Sequence, residues 1–491
     1  MTAHLAVLQI IVPLLAAPLC ALLRNARLAW AFTVLISWTT FAISILLLRE
    51  VLVNGPISYD MGGWAAPWGI EYRVDELNAF VLLLISSIAA VVAPYARLSV
   101  EQEIENGQIP LFYAAFLLCV TGLLGITVTG DLFNVFVFLE VSSLSTYTLV
   151  AMGRDRRALT AAFRYLVMGS VGATFIVIGI GLLYSVTGSL NMADLATLIP
   201  AVSDTRTVPV AFGFLTVGIA LKLALFPLHL WLPNAYAYAP STATVLLAAT
   251  ATKVAVYMLL RVFFTVFGVV YSFDVMQLDL VLLPLALIAI FSMSLVAIYQ
   301  VNVKRLLAYS SLAQIGYMVL GIAIGSITGL TASILHLFNH AMMKAALFMA
   351  VGAVMYRVGS VEITAFNGLG KRMPWTMAAF VVAGVSLIGV PMTVGFISKW
   401  YLILAAIQSG WWPVAALVLI TSLMAVIYIW RVVEAAYFHP APEGSTVREA
   451  PLMLLIPTWT LVLANLYFGI DASLTIEVAG RAAASLLQAG S

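Results

Sequence analysis

Charge is the scarcest property of this sequence: Asp, Glu, Lys and Arg make up 9% of its 491 residues, whereas a soluble domain carries about a quarter. That shortage excludes an ordinary soluble protein, and no stretch between the apolar runs is long enough to form a soluble domain. Cysteine is almost missing too. Cys20 and Cys119 both fall in apolar runs, which excludes a disulfide framework, a zinc site and an iron–sulfur motif. No nucleotide-binding loop or haem motif occurs, so no cofactor is expected and any redox chemistry or energy input must come from elsewhere. The net charge of +2 offers nothing to nucleic acid or to an anionic surface.

What is present is hydrophobic, 63% of the residues. Apolar runs of roughly 18 residues or more recur along almost the whole length, and each reads as a membrane-spanning helix. Backbone groups inside lipid must pair within their own segment, so helices are the natural choice. The expectation is an all-α polytopic protein with about fourteen transmembrane helices. The first run, Leu5 to Leu23, lacks a basic start and is longer than a signal-peptide core, so it reads as a retained first helix. Orientation follows from the 23 Lys and Arg: fourteen fall at span ends facing one side and five at ends facing the other. The richer side is cytoplasmic by the positive-inside rule, which places both termini in the periplasm or exterior of a bacterial inner membrane.

The remaining four cations, Lys222, Lys253, Lys344 and Lys399, lie inside spans. A charge at the centre of a spanning helix costs about 2.5–3.5 kcal/mol even on the lenient insertion scale, so four argue for a purpose, structural pairing or transport. Glu140, in the fifth span, is the only carboxylate near a helix centre; a structural ion pair is its plainer reading. The hydroxyls after it, from Ser142 to Thr148, could simply bond back to carbonyls one turn earlier. Pro227 follows Lys222 by five residues and removes a helical hydrogen bond from the carbonyl of Leu223; Pro391 does the same to Leu387 in the twelfth span. Broken helices at membrane depth are tolerated where they line a cavity, although a simple proline kink would also fit. Lys399 lies eight residues beyond Pro391, about 12 Å along a continuous axis, and could alternatively snorkel to an interface beside Trp400. His336, His340 and Lys344 are spaced i, i+4, i+8 and share one helix face. No carboxylate or thiol accompanies the histidines, so a proton relay suits them better than a metal site.

One broken helix in each half suggests two inverted five-helix repeats, spans 4–8 and 9–13. The organisation is then a three-helix segment at 1–109, repeats at 110–264 and 265–436, and a C-terminal helix with its tail at 437–491. The echo of Ser142-Ser-Leu-Ser-Thr-Tyr147 in Ser310-Ser-Leu-Ala-Gln-Ile-Gly-Tyr317 supports this faintly.

Several stretches together resemble the proton-conducting family shared by Mrp-type Na+/H+ antiporters and respiratory complex I. They are Phe138-Leu-Glu-Val-Ser-Ser-Leu-Ser-Thr-Tyr147, Leu221-Lys-Leu-Ala-Leu-Phe-Pro-Leu-His-Leu-Trp-Leu-Pro-Asn-Ala-Tyr236, and Val303-Lys-Arg-Leu-Leu-Ala-Tyr-Ser-Ser-Leu-Ala-Gln-Ile-Gly-Tyr317. His336-Leu-Phe-Asn-His-Ala-Met-Met-Lys344 and Gly395-Phe-Ile-Ser-Lys399 continue the match. Within that family the chain is most similar to the Mrp D subunit; M- or N-type subunits of complex I, or the equivalent in a membrane-bound hydrogenase, are the alternative. The resemblance implies Glu140 paired with Lys222, Lys253 as a central relay, His336 or His340 as a link, and Lys399 as a terminal proton site. It also implies Mrp A, B, C, E, F and G-like partner subunits, with protons and Na+ as the transported ions. A hard cation wants several oxygens, and Glu140 alone does not supply them, so the Na+ path is expected in another subunit or at an interface. The topology yields a first test. Cysteines at Asp155 and Ser491, probed with an impermeant thiol reagent, should label from opposite sides of the membrane; labelling from the same side would overturn the span count.

Overall fold

Short polar residues set between the apolar runs decide where the helices begin. The computed structural model describes residues 4–443 and 446–488. Asn25, Asp75, Asp131, Asp155, Asn191, Asn302 and Ser326 each accept hydrogen bonds from the first free backbone N–H groups of the helix that follows. In chain order, α1 is Leu5–Leu22 and α2 Ala26–Asn54; a hairpin of β1 (Ile57–Asp60) and β2 (Glu71–Val74) follows. Then come α3 (Glu76–Glu103), α4 (Ile109–Val128), α5 (Leu132–Ala151), α6 (Arg156–Thr187) and the short α7 (Met192–Val202). The seventh apolar run is divided into α8 (Thr207–Leu223) and α9 (Leu232–Tyr238), and the eighth into α10 (Ser241–Ala249) and α11 (Ala251–Leu260). Next are α12 (Leu278–Ile298), α13 (Val303–Ile324), α14 (Ile327–Val358) and the one-turn α15 (Leu369–Arg372). The twelfth run is divided into α16 (Pro374–Ile388) and α17 (Val394–Gln408), before α18 (Trp412–Phe438), α19 (Leu452–Ile470) and α20 (Ser473–Gln488). Among the described residues, twelve helices are long and apolar enough to cross a membrane, with α8, α16 and α17 shorter apolar pieces. The exterior C-terminus expected at Ser491 lies outside the described residues.

α14 organises the bundle. It is buried without interruption from Gly329 to Val354 and packs on α3, α10, α13, α16, α17, α19 and α20. A helix apolar on most sides belongs inside, and here its buried polar exceptions are the histidine and lysine stripe with Thr331, Ser333 and Asn339. By contrast α6, α12 and α18 leave apolar faces uncovered, among them Leu159, Phe163, Leu280 and Leu423. Those faces fit lipid or neighbouring membrane chains. Gly218 lets α8 lie against α6, because a Cβ there would sit 2.8 Å from the carbonyl oxygen of Gly172. This close approach is one turn before Lys222.

Four features were not legible beforehand. The β-hairpin lies in a short connection, and α7 is an apolar helix of only 11 residues, too short to read as a span. The eighth run breaks at Thr250 (φ −123°, ψ −54°) with no proline to announce it. π-helical turns occupy Arg261–Val266 and Val270–Val275. Finally, α20 crosses the hairpin end of the bundle, where Ser485 and Leu486 share a cavity with Arg73, Asp75 and Arg261. At that end Arg261 donates to Asp75 at 2.5 Å and to the hydroxyl of Tyr257 at 3.1 Å. Burial pushes the Asp75 carboxyl up, but the Arg261 guanidinium, together with the Asn78 N–H and Arg73, offsets it and holds the group below the usual carboxylate range.

Candidate functional site

Two helix ends in the middle of the bundle are built alike. α8 stops at Leu223, where Ala224 turns into the left-handed region (φ 59°) and the N–H of Leu225 reaches back to the carbonyl of Ala220 at 3.0 Å. α16 stops at Ile388, where Gly389 does the same (φ 94°) and the N–H of Val390 reaches Val385 at 3.3 Å. Both are left-handed caps with proline shortly afterwards. The helices therefore end before Pro227 and Pro391, which is earlier than a missing proline N–H alone would require. A left-handed alanine costs about 1–2 kcal/mol, and strain of that kind gathers at functional breaks.

Lysines occupy these ends. Lys399 is buried, and its Nζ donates to the carbonyls of Leu387 and Ile388 at 3.0 and 2.8 Å. The carbonyl that Pro391 was expected to strand is thus taken by Lys399, and the 12 Å separation does not apply because the side chain reaches back across the break. Snorkelling towards the interface beside Trp400 is also excluded by this geometry. A Cβ at Gly389 would lie 3.0 Å from Lys399 Cδ, so glycine serves both the cap and the lysine. Lys253, fully buried on α11, donates in the same way to the carbonyl of Ala248 at the end of α10. Lys222 lies in the last turn of α8. Its Nζ donates to the hydroxyl of Ser143 at 2.9 Å and stands 3.7 Å from Glu140 Oε1. Among the hydroxyls after Glu140, those of Ser142, Ser145, Thr146 and Thr148 bond back to carbonyls three or four residues earlier. Ser143 instead takes the lysine.

Histidines fill the space between. His336 Nδ1 lies 2.8 Å from Ser398 Oγ, the residue before Lys399. The rings of His336 and His340 are parallel at 5.9 Å, and the edge of Tyr317 meets His336 at 5.7 Å. Tyr317 also presents its face to Lys399 Nζ at 5.2 Å, while its hydroxyl bonds Thr421 at 2.7 Å. Lys344 turns towards α13, donating to the carbonyl of Leu307 at 2.8 Å and to the hydroxyl of Ser310. The structure therefore brings Glu140 to Lys222, and His336 to Ser398, the residue before Lys399. Lys253, His340 and Lys344 are buried between these pairs without direct hydrogen bonds to one another. His336 Nε2, both nitrogens of His340 and the Asn339 carbonyl oxygen have no protein partner. Buried polar atoms of this kind are normally satisfied by ordered water, which would give a row of exchangeable proton sites.

Ser143, Ser398 and Tyr317 were not singled out in advance. Each lies inside a quoted motif, so the motif was the available signal, but hydroxyls in membrane helices usually bond their own backbone. Lys304 was placed among the loop-flanking cations, yet it is 3% exposed and donates to the carbonyl of Ala239 at 3.1 Å.

The family model for the transmembrane region of NADH:quinone oxidoreductase and Mrp antiporter proteins matches residues 129–425, which contain every member of this axis. The chain belongs to that family. It is 42% identical to the N subunit of the NADH-quinone oxidoreductase of Desulforudis audaxviator over 92% of this chain and 90% of that one. It is 31% identical to the D subunit of the Na+/H+ antiporter of Alkalihalophilus pseudofirmus, over 88% and 86%. Among solved structures, a chain of the archaeal membrane-bound sulfane sulfur reductase superposes with a TM-score of 0.91 at 32% identity, covering 99% and 98% of the two chains. A chain of the Dietzia Mrp complex does so with a TM-score of 0.90 at 26% identity, covering 99% and 97%.

The contact between Glu140 and Lys222 generates a second test. Glu140→Gln keeps shape and hydrogen bonding without charge, and Glu140→Asp keeps charge at shorter reach. Asp should retain weak ion exchange with a displaced pH optimum, and Gln almost none. Glu140→Gln with Lys222→Gln should lose little more than either change alone, because groups in contact are not additive. Exchange rate against pH in one membrane preparation checks this; a normal Gln variant would make the carboxylate a structural partner only.

Proposed function

We propose that this chain is the D-type, proton-translocating subunit of a multisubunit Na+/H+ antiporter in a bacterial inner (plasma) membrane, with both termini outside. The observation that carries the reading is the set of four lysines inside the spans, three of them held only by carbonyl and hydroxyl oxygens and one facing a lone carboxylate. An ammonium without a counter-charge is costly to bury, so such a group is ready to give its proton up. A carboxylate brought near it favours the charged form. Motion of Glu140 relative to Lys222 then switches the lysine between holding and releasing a proton, which passes along Lys253 and the histidines of α14 towards Lys399. In this assembly inward proton flow would drive Na+ outward, with the Na+ path in another subunit or at an interface.

Partner subunits are expected from the surface as well as from the family. The Glu140 side chain is 30% exposed, on an α5 face shared with exposed Phe133, Val137 and Leu144. A carboxylate at membrane depth does not face hydrocarbon comfortably, so a neighbouring membrane chain is the expected cover. A second reading is a proton-pumping arm of a redox complex. The 42% identity to an oxidoreductase N subunit and the superposition on the sulfane sulfur reductase chain favour it. The antiporter reading draws on the antiporter relatives of D type and on the Mrp superposition.

One preparation separates these readings. Affinity purification followed by mass spectrometry should recover small Mrp-type subunits rather than peripheral iron–sulfur subunits. In everted vesicles with a pH-sensitive dye, Glu140→Ala, Lys222→Ala and Lys399→Ala should each abolish Na+/H+ exchange while the complex still assembles. Wild-type exchange in all three would remove the axis from the transport path.

A further inference from the structure

The stretch around Pro227 contains a tryptophan that the transport reading does not use. Trp231 is 3% exposed and immediately precedes α9, on the far side of the interruption from Lys222. Its indole Nε1–H donates to the carbonyl of Leu221 at 3.0 Å, which also accepts from the N–H of Ala224 at 3.2 Å. Leu221 is the residue before Lys222, in the last turn of α8. The indole therefore closes over the whole interruption and grips the helix end beside the lysine. Elsewhere the interrupted ends are held by lysines themselves, Lys399 at α16 and Lys253 at α10. Lys222 turns away to Ser143 of α5 and leaves the end of its own helix to the indole.

The indole is held in turn. It stacks on Tyr165 of α6, with ring centroids 4.0 Å apart and planes within 6° of parallel. Tyr165 meets the ring of Tyr147 of α5 edge-on at 4.7 Å, and all three rings are buried. One face of α6 serves both neighbours, because Tyr165, Gly169 and Gly172 are spaced i, i+4, i+7. A Cβ at Gly169 would collide with the Tyr147 hydroxyl, and one at Gly172 would lie 3.1 Å from Leu221 Cβ. On α5, Glu140, Ser143 and Tyr147 are spaced i, i+3, i+7 and share a face as well. α5 and the end of α8 are thus tied twice. One tie is Lys222 with Ser143 and Glu140; the other runs through Tyr147, Tyr165 and Trp231.

We propose that Trp231 is a positioning residue for the Glu140–Lys222 pair, its indole seated on Tyr165 setting how far the interrupted end of α8 stands from α5. The inference rests on the proton-translocating reading above. Glu140 is the one charged partner of Lys222 among the described residues, at 3.7 Å. Their attraction falls as the separation grows, so a small displacement of α8 changes it. The plainer role for Trp231 is to fill the core and satisfy a carbonyl. That role leaves the pH optimum of transport where it is.

The test uses the assembled complex in everted vesicles, with subunit content measured in each preparation. Trp231→Phe keeps a ring over Tyr165 and removes the N–H, whereas Tyr165→Leu removes the stack and leaves the N–H. Each should slow exchange by about 10-fold, the scale of one buried hydrogen bond or ring pair. Each should also move the pH optimum to lower pH, because a lysine further from its carboxylate holds its proton less firmly. The double variant should lose little more than either single change, since the two rings act as one support. Geometry is read separately, with spin labels on cysteines at Leu144 of α5 and Val217 of α8, both exposed; native Cys20 and Cys119 are buried. The distance between the labels should lengthen or broaden in Trp231→Phe. A wild-type pH optimum in either assembled variant, or an unchanged label distance, overturns the proposal even where the rate has fallen. Normal exchange in Lys222→Ala would instead defeat the transport reading, and the label distance would still report whether the indole holds α8 to α5.

Discussion

An ammonium group buried among apolar helices must find oxygen atoms, and for Lys253 and Lys399 this structure supplies them from the ends of interrupted helices. The last carbonyls of a helix have no intrahelical partners, and their aligned dipoles favour a cation. Lys399 at the end of α16 and Lys253 at the end of α10 use this directly. The dependence is mutual. Without the lysines the interrupted ends would leave carbonyls unsatisfied in a dry interior, and without the interruptions the lysines would have no oxygens to hold. Lys222 differs because its oxygens come from α5, one from Ser143 and one from Glu140. It is therefore the member of the axis that stands beside a carboxylate side chain.

The same logic explains why the histidines lie on α14. That helix is enclosed along 26 consecutive residues, so any polar side chain on its stripe faces other helices and never lipid. Spacing of four residues brings the two imidazoles parallel, and Ser398 ties the nearer one to the segment that carries Lys399. Proton transfer needs groups that both donate and accept, and neutral histidine, serine and tyrosine do so. Among the described residues the buried carboxylates, Glu71 and Asp131, lie at the hairpin end, and Glu140 is part-exposed.

Much of this was legible in the sequence, for physical reasons. Lysine inside an apolar run is expensive enough that its presence is informative by itself, so Lys222, Lys253, Lys344 and Lys399 could be named without a structure. Proline marked the interruptions after Leu223 and Ile388, because it changes which backbone bonds can form. The break at Thr250 carried no such mark. There the Lys253 side chain takes the carbonyl of Ala248 five residues earlier, a local bond that no proline or glycine announces. Lys304 was hidden for the opposite reason: a basic residue beside a loop usually faces water, and only the packing of α9 and α13 shows it buried. Which hydroxyl serves a lysine and which serves its own helix was equally illegible, since Ser142 and Ser143 are neighbours with the same chemistry and differ only in the face they occupy.

Continuity is the central claim: the two halves work as one conduit only if the lysine between them carries protons. Lys253→Met tests this most directly, because methionine keeps most of the shape of the buried stem and removes the titratable head. The measurement is proton movement by the assembled complex in everted vesicles, followed with a pH-sensitive dye and set against the amount of this chain in the membrane. The account predicts that the Met variant assembles at normal levels and moves no protons. Wild-type proton movement through a chain without Lys253 would contradict it.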